Sequence, residues 1–185
     1  MAQNTLLYTN GGVNEVSETH PLPTKLTGSN TRKWATVSAK MPAATAGEHT
    51  AGDVVSAGAV LQIETGLLAG GSGIILSSYV WHDNGAVFSG GAGYTLKLYN
   101  VAPTNIADGT AWDLPVAEAG TLVGEVEIST LVDKGATVYK FETGHNVDFT
   151  LATGDTKLYC LPVCKGTETT VQDKTIYFNL GIAAL

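Results

Sequence analysis

Charge is scarce in this sequence. Only 15% of the residues are charged, against roughly 25% in ordinary soluble domains, and Lys and Arg together number 10. Arg32-Lys33 is the only adjacent basic pair, and no larger basic cluster occurs. With a formal net charge of −7, the chain lacks a surface built to neutralise phosphates. The composition therefore argues against nucleic acid as a partner.

Long apolar runs and a targeting signal are also missing. The first five residues carry no basic region, and Leu6-Leu7-Tyr8 is too short for the apolar part of a signal peptide. No stretch approaches the ~18 apolar residues that a membrane-spanning helix requires. We therefore expect a protein that is made in a cytoplasm and has no membrane partner.

Cysteine is limited to Cys160 and Cys164. In an extended strand, residues four apart lie roughly 13 Å apart, whereas a disulfide requires Cα atoms within about 7 Å. A bridge would need a turn at Leu161-Pro162. A zinc site would need a second pair of ligands with suitable spacing, which is absent. The disulfide stays open, and two buried, reduced thiols are the favoured state.

Helical periodicity of ten or more residues is absent, whereas strand alternation is common. In 93–100, for example, Tyr94, Leu96 and Leu98 alternate with more polar residues. Strands at intervals of roughly ten to twenty residues, joined by Gly- and Thr-rich turns, predict an all-β fold. We predict an antiparallel β-sandwich of the eight-stranded jelly-roll type, with an immunoglobulin-like sandwich as second choice. The predicted strands are 33–39, 51–55, 60–64, 71–83, 93–100, 122–128, 137–142, 147–151, 157–163 and 175–182, and a helical turn is predicted near 114–119.

The first 32 residues differ from the rest. Asn10-Gly11-Gly12 is typical of a turn, the following residues are polar, and His20-Pro21-Leu22-Pro23 favours extended geometry. Such a segment buries too little apolar surface to order itself. We therefore predict an extended N-terminal arm over residues 1–32, either lying along another surface or frayed, and a β-sandwich domain over 33–185.

Catalytic patterns are weak. His82-Asp83 ends a predicted strand, where neighbouring side chains point to opposite faces and cannot easily bond to each other. Glu125 and Glu127 share one strand face about 7 Å apart, a separation that glycoside hydrolysis can use. Two glutamates on the wet face of an alternating strand are, however, ordinarily solvated. No catalytic residue is predicted, and the protein is expected not to be an enzyme.

Metal, cofactor and stacking sites find little support either. The histidines have no metal-binding spacing, and the Gly-rich stretches 70–73 and 90–93 precede strands rather than the helix that a phosphate loop needs. A calcium site in the Asp-containing loops lacks the required spacing. No cofactor and no metal are expected. The residues concerned are His20, His49, His82 and His145, with Asp108, Asp113, Asp148, Asp155 and Asp173.

Aromatic residues make up 8% of the chain. Trp34, Trp81 and Trp112 are dispersed in the sequence, which argues against a stacking platform for single strands. A carbohydrate-binding face needs clustered aromatics, and the sequence does not reveal whether its tyrosines converge. The tyrosines in question are Tyr94, Tyr99, Tyr139 and Tyr177.

A series of short motifs, taken in order and spacing, resembles a group of small virion proteins encoded near the capsid genes of tailed bacteriophages. The resemblance covers roughly residues 20–182. One departure is Glu48-His49-Thr50, which stands where that group is expected to have a tyrosine. The motifs are Pro21-Leu22-Pro23, Ala51-Gly52-Asp53-Val54-Val55, Gly71-Ser72-Gly73-Ile74-Ile75, Leu96-Lys97-Leu98-Tyr99-Asn100 with Pro103-Thr104, Ala107-Asp108-Gly109-Thr110-Ala111-Trp112, and Leu122-Val123-Gly124.

The resemblance implies a capsid decoration (cement) protein that binds the outside of an assembled head and stabilises it. Implied partners are the major capsid protein and further copies of this chain, as a homotrimer, and the location is the capsid exterior. The expected contacts are one face of the sandwich and the N-terminal arm. The arm residues expected at the interface are Val13, Val16, His20, Pro21, Leu22, Pro23 and Leu26.

Three alternatives remain open. Within the same class, the chain could be a neck, tail or head-fibre component. From another class, it could be a carbohydrate-binding module that uses Trp81 or Trp112. An enzyme such as a glycosidase, acting through Glu125 and Glu127, is the third.

Overall fold

The computed structural model describes residues 32–41, 48–55, 59–88 and 91–185, together with the backbone of 5–9 and 12–16. The chain divides into two compact units, Met1–Asn30 and Thr31–Leu185. In the first unit, strand β1 (Thr5–Thr9) pairs antiparallel with β2 (Gly12–Val16). Strands were not predicted there, because the polar sequence gave no clear alternation of apolar residues.

The second unit is built from strands. The one helical element among its described residues is a 3₁₀ turn at Val116–Glu118, which confirms the predicted helical turn. In the described part of the chain, no helix is long and apolar enough to cross a membrane. The strands are β3 (Lys33–Lys40), β4 (Glu48–His49), β5 (Leu61–Glu64), β6 (Ser72–His82), β7 (Tyr94–Tyr99), β8 (Leu122–Ile128), β9 (Val132–Asp133), β10 (Val138–Thr150), β11 (Lys157–Cys164), β12 (Glu168–Thr169) and β13 (Thr175–Ala184).

The strands form two main sheets with antiparallel pairing throughout. One sheet has the order β3-β13-β6-β10-β9 and the other β5-β11-β7-β8, while β12 and β4 form a separate short ladder. If the strands of the two main sheets, without the two-residue β9, are numbered in chain order, the sheets read 1-8-3-6 and 2-7-4-5. This is the strand order of a jelly roll. The predicted fold class, an antiparallel β-sandwich of jelly-roll type, is confirmed.

The core lies between the two sheets because alternate residues of each strand point inward. In β3, for example, Ala35, Val37 and Ala39 are buried while their neighbours are exposed. Leu96 and Leu98 of β7 pack into the same hydrophobic cluster from the opposite sheet. The alternation read from the sequence is therefore the alternation between core and surface.

The outer face of the four-stranded sheet is covered by the connection 101–120. A second hydrophobic cluster, centred on Tyr99 and Leu161, packs there against Trp112 and Leu114. The Trp112 Nε1–H donates a hydrogen bond of 2.9 Å to the Tyr99 hydroxyl. The Lys97 ammonium lies 4.1 Å from the centre of the Trp112 ring. Trp112 thus fastens a loop to a sheet, and it is a structural residue.

Two strand predictions were wrong. Residues 51–55 form only isolated bridges, Asp53 to Ala111 and Val54 to Val163, rather than a strand. The two strands predicted over 137–142 and 147–151 are one strand, β10, with an irregularity between Thr143 and Val147. The irregularity contains Gly144 (φ 84°) and Asn146 (φ 51°), and left-handed residues of this kind mark a bulge.

Replacement of Trp112 by Ala should loosen the covering connection. We expect the free energy of unfolding to fall by about 2 kcal/mol, because a partly buried indole, its hydrogen bond and its cation–π contact are lost together. Urea unfolding measures the change. Val116→Ala is the matched control, since Val116 lies in the same connection but is 94% exposed, and it should stay within about 0.5 kcal/mol. Equal effects of the two changes would contradict the structural role of Trp112.

Candidate functional site

Six aromatic side chains gather on the outer face of the five-stranded sheet. They occupy alternate positions on β3, β13, β6 and β10 that point away from the core. In the described part of the second unit, no loop packs over them as the 101–120 connection covers the other sheet. We call this surface the aromatic face, and its members are Trp34, Tyr79, Trp81, Tyr139, Phe141 and Tyr177.

Strand register brings the rings together. Trp81 of β6 lies opposite Tyr177 of β13 on one side and opposite Tyr139 of β10 on the other. The rings of Trp81 and Tyr177 stack with centroids 3.9 Å apart and planes 10° apart. Tyr79 and Tyr139 meet edge to face at 5.8 Å. Aromatic pairs of these kinds contribute about 0.5–1.5 kcal/mol beyond burial alone. These ring contacts therefore stabilise the relative positions of the four side chains.

Trp34 and Phe141 form the most exposed part of the face. Their ring centroids lie 6.2 Å apart, and their exposed fractions are 48% and 47%. The Arg32 guanidinium carbon lies 4.8 Å from the centre of the Trp34 ring. Gly181 lies beneath the Arg32 side chain. A Cβ at this position would collide with the Ser77 hydroxyl and with Arg32. A glycine in the sheet therefore makes room for the Arg32–Trp34 pair.

Polar groups are set among the rings. The Thr36 hydroxyl lies 2.6 Å from Asn179 Oδ1 and donates to it, and the Asn179 amide donates to the Tyr79 carbonyl at 2.9 Å. Lys134 places its ammonium 5.9 Å from the centre of the Tyr139 ring. Neither Arg32 nor Lys134 joins an ion pair with another described residue. The aromatic face thus combines exposed rings with two cations and a few hydrogen-bonding groups.

The spacing of aromatic residues along the strands is a signal for this face. Tyr79 and Trp81, like Tyr139 and Phe141, are spaced two apart on predicted strands, and that spacing places each pair on one side of a sheet. Trp34 and Trp81 are far apart in the sequence, yet the order of strands in the sheet places both on this surface.

The tyrosines named earlier divide between two places. Tyr139 and Tyr177 lie on the aromatic face, whereas Tyr94 is buried in the core and Tyr99 is buried beneath the 101–120 connection. Sequence spacing alone does not show that Tyr139 and Tyr177 share a surface. They do so because β10 and β13 both pair with β6.

The predicted arm residues stay untested by the structure. Val13 and Val16 belong to β2, whose side chains are not described. The other five, His20, Pro21, Leu22, Pro23 and Leu26, lie outside the described residues.

The weaker catalytic candidates are engaged in structural contacts. His82 is buried and Asp83 is exposed, which confirms that the pair points to opposite sides of the strand. Glu125 accepts a hydrogen bond of 2.7 Å from Lys97, and Glu127 pairs with Lys165 at 2.5 Å. Partial burial acts to raise the pKa of Glu127, but hydrogen bonds from Lys165 and Thr95 lower it overall. Among the described residues, no group of three His, Cys, Asp or Glu comes together as a metal site.

Cys160 and Cys164 are both free and buried, as predicted. Leu161 and Pro162, where a bridge would need a turn, lie inside β11. Burial raises the pKa of both thiols, that of Cys164 to about 12. Burial and a raised pKa together make both side chains unreactive.

A second concentration of polar side chains is buried where the β4–β12 ladder meets the sandwich. His49 and Glu168 face each other in this ladder, and each is 1% exposed. Burial raises the pKa of Glu168 to about 7, with a hydrogen bond from Tyr94 and the charge of His49 acting in opposition. No sequence motif signals this cluster, because its members are far apart along the chain.

Comparison with known proteins adds little. No protein-family model and no curated protein matches the chain. Among solved structures, it is similar to virion chains of Kashmir bee virus at acidic pH and at neutral pH, both with 12% identity over 100% of this chain. The alignments cover 92% and 91% of those chains, with TM-scores of 0.30 and 0.29. At these scores the likeness does not bear on function.

The thiols offer a direct check of the site description. With an aromatic disulfide reagent at pH 7, the native protein should release no chromophore within minutes, because both sulfurs are buried and protonated. Unfolding in guanidinium without reductant should release two equivalents. Release of none after unfolding would reveal a disulfide, and rapid reaction before unfolding would contradict the burial.

Proposed function

We propose that this protein is a structural component of a virion, specifically a decoration (cement) protein that binds the outside of an assembled phage head and stabilises it without catalysis. The proposed partners are the major capsid protein and further copies of this chain, as a homotrimer on the capsid exterior. The observation that carries the proposal is the aromatic face, a sheet surface that no described loop of the second unit covers, whereas the 101–120 connection packs on the other sheet.

The chemistry of the face suits a protein partner. Tyr, Trp and Arg are the residues that most often dominate protein–protein binding energy. Trp34 and Phe141 are about half exposed, with Arg32 stacked on the indole. On docking, these rings would leave water while the guanidinium could pair with an acidic group of the partner. Jelly rolls are frequent in capsid proteins, which is consistent with this role.

The N-terminal arm would supply a second contact. Its residues around 13–26 are proposed to lie on a neighbouring subunit, and a strand such as β2 could pair with an exposed sheet edge. Two weak contacts on one chain, repeated in a trimer, reinforce each other through effective concentration. The interface residues of the arm remain a proposal.

Two other functions use the same surface. A neck, tail or head-fibre component would also need an open face of this kind. A carbohydrate-binding module is favoured by one observation, the stacked Trp81–Tyr177 pair beside the Thr36–Asn179 amide group. Trp112 no longer belongs to that alternative, because it fastens a loop on the other sheet. An active site at Glu125 and Glu127 would require displacing two lysines.

Particle binding tests the proposal. The double variant Trp34→Ala/Phe141→Ala should bind heads assembled without the protein at least about tenfold more weakly, since hot-spot aromatics each contribute about 2 kcal/mol or more. Removal of residues 1–30 should weaken binding independently. Co-sedimentation gives the affinity, and the temperature of DNA release from the heads gives the stabilisation.

Val116→Ser is the matched control, because Val116 is an exposed apolar residue away from the aromatic face. It should leave binding unchanged. If wild-type protein failed to bind or to raise the release temperature, the decoration role would be wrong. Binding to a glycan array that is lost in Trp81→Ala, without binding to heads, would establish the carbohydrate alternative.

A further inference from the structure

The β4–β12 ladder is attached to the sandwich through buried ionisable side chains that the proposed function does not use. We call this group the polar clasp. The Tyr94 hydroxyl lies 3.1 and 3.3 Å from the two Glu168 carboxyl oxygens. The His49 Nε2–H donates to Asp108 Oδ1 at 3.1 Å. The clasp consists of His49, Tyr94, Asp108 and Glu168.

Each half of the clasp joins a different part of the fold. Glu168 links β12 to the start of β7, and His49 links β4 to the 101–120 connection. The ladder between β4 and β12 contains only two residue pairs, Glu168 with His49 and Thr169 with Glu48. Four residues of strand hold weakly on their own. The side-chain contacts of the clasp therefore decide whether the ladder stays in place.

A small cavity adjoins the Glu168 carboxyl group. Its volume is ≈ 10 Å³, and Tyr94, Phe88 and His82 are among its walls. That volume has room for about one water molecule. Gly91 also lies against the carboxyl group, since a Cβ there would be 3.3 Å from Glu168 Oε2. An ionised carboxylate at this place could be hydrated by only about one water molecule unless the surrounding chain moved.

We propose that the polar clasp is a proton-controlled latch, in which protonated Glu168 keeps the β4–β12 ladder closed on the sandwich and ionised Glu168 opens it locally. The latch is independent of the proposed function, because it depends only on contacts within this chain.

The ionisable groups around the Glu168 carboxyl group determine how the stability of the closed state depends on pH. The groups that face Glu168 are the Tyr94 hydroxyl, the Cys164 thiol and the His49 imidazole. His82 lines the same cavity. The groups that act on His49 are Asp108, Glu168 and Asp53, the last of which accepts hydrogen bonds from Thr50. Among these groups, only the two histidines, His49 and His82, can carry a positive charge.

The pKa values of Glu168 and His49 are both raised in the closed state. Burial raises the pKa of Glu168 from 4.5 to about 7, and the hydrogen bond to Asp108 raises the pKa of His49 above 6.5. The closed state therefore holds both protons more tightly than the open state does, so its stability falls as pH rises. For Glu168 the loss runs from about pH 4.5 to 7, and for His49 it continues above pH 6.5. Once Glu168 and His49 have both lost their protons, the clasp holds two carboxylates, Asp108 and Glu168, without a cation.

His82 acts in the opposite direction at lower pH. It is fully buried, stacks on Phe88 at 4.4 Å, and makes no side-chain hydrogen bond of normal geometry with the described residues. Burial lowers its pKa below 6.5. The stability that neutral His82 contributes is lost as pH falls below 6.5. The closed state should consequently be most stable in mildly acidic solution and should weaken on either side.

Hydrogen exchange with mass spectrometry tests the latch on the full chain. Between pH 6 and pH 8.5, protection factors corrected for intrinsic exchange should fall at least about tenfold in peptides that contain β4 and β12. Peptides from β6 and β13 are the internal reference and should keep their protection. Uniform loss over all peptides, or no loss at β4 and β12, would overturn the proposal.

The variant Glu168→Gln keeps the shape of the side chain but cannot ionise. Between pH 6 and pH 8.5 its β4 and β12 peptides should lose clearly less protection than those of the wild type, and the loss that remains is the part due to His49. Glu142→Gln is the matched control, because Glu142 is a half-buried carboxylate bonded to Ser129 outside the clasp, and it should behave as wild type. Equal loss of protection in wild type and Glu168→Gln would also overturn the latch.

If Glu168→Gln fails to fold, the wild-type chain can still be used to test the latch. The Glu168 carboxyl carbon can be followed by NMR, with the same sample used for exchange. The latch requires that carbon to titrate near neutral pH together with the loss of protection. Titration near pH 4.5, as in an exposed glutamate, would overturn it.

Discussion

The register between β6 and β13 is the constraint on which the rest of this structure depends. These two strands lie at the centre of the five-stranded sheet, with Phe178 opposite Val80 and Tyr177 opposite Trp81. The first pair points into the core and the second onto the aromatic face. A shift by one residue would exchange the two sets, exposing the core and burying the rings. Core stability and surface chemistry are therefore fixed by the same hydrogen bonds.

Much of the fold could be predicted because apolar and polar residues alternate clearly along its strands. Tyr94, Leu96 and Leu98 are apolar at every second position, and they are the residues that fill the core from β7. Prediction failed where chain geometry rather than alternation decides the structure. Residues 51–55 are apolar enough for a strand, but they are held by single bridges to other segments. The bulge in β10 depends on Asn146 and Gly144, which are turn residues elsewhere in most proteins.

The sites were harder to predict than the fold, because both are assembled from distant parts of the chain. Trp34 and Phe141 are separated by more than half of the sequence, and so are His49 and Glu168. Neither pair has a spacing that could signal a site. Local alternation can place a residue on one side of its own strand. Only the order of strands in the sheet places two such residues side by side.

The bulge in β10 has a consequence for the edge of the sheet. β10 pairs with β6 along most of its length, but with β9 at only two positions, so among the described residues much of its other side has no strand partner. A long, flat, free edge invites other chains to add as further strands and to polymerise. Gly144 and Asn146, both left-handed, interrupt the regular hydrogen-bonding pattern midway along this edge. The bend limits unwanted strand addition at the edge of the sheet that carries the aromatic face.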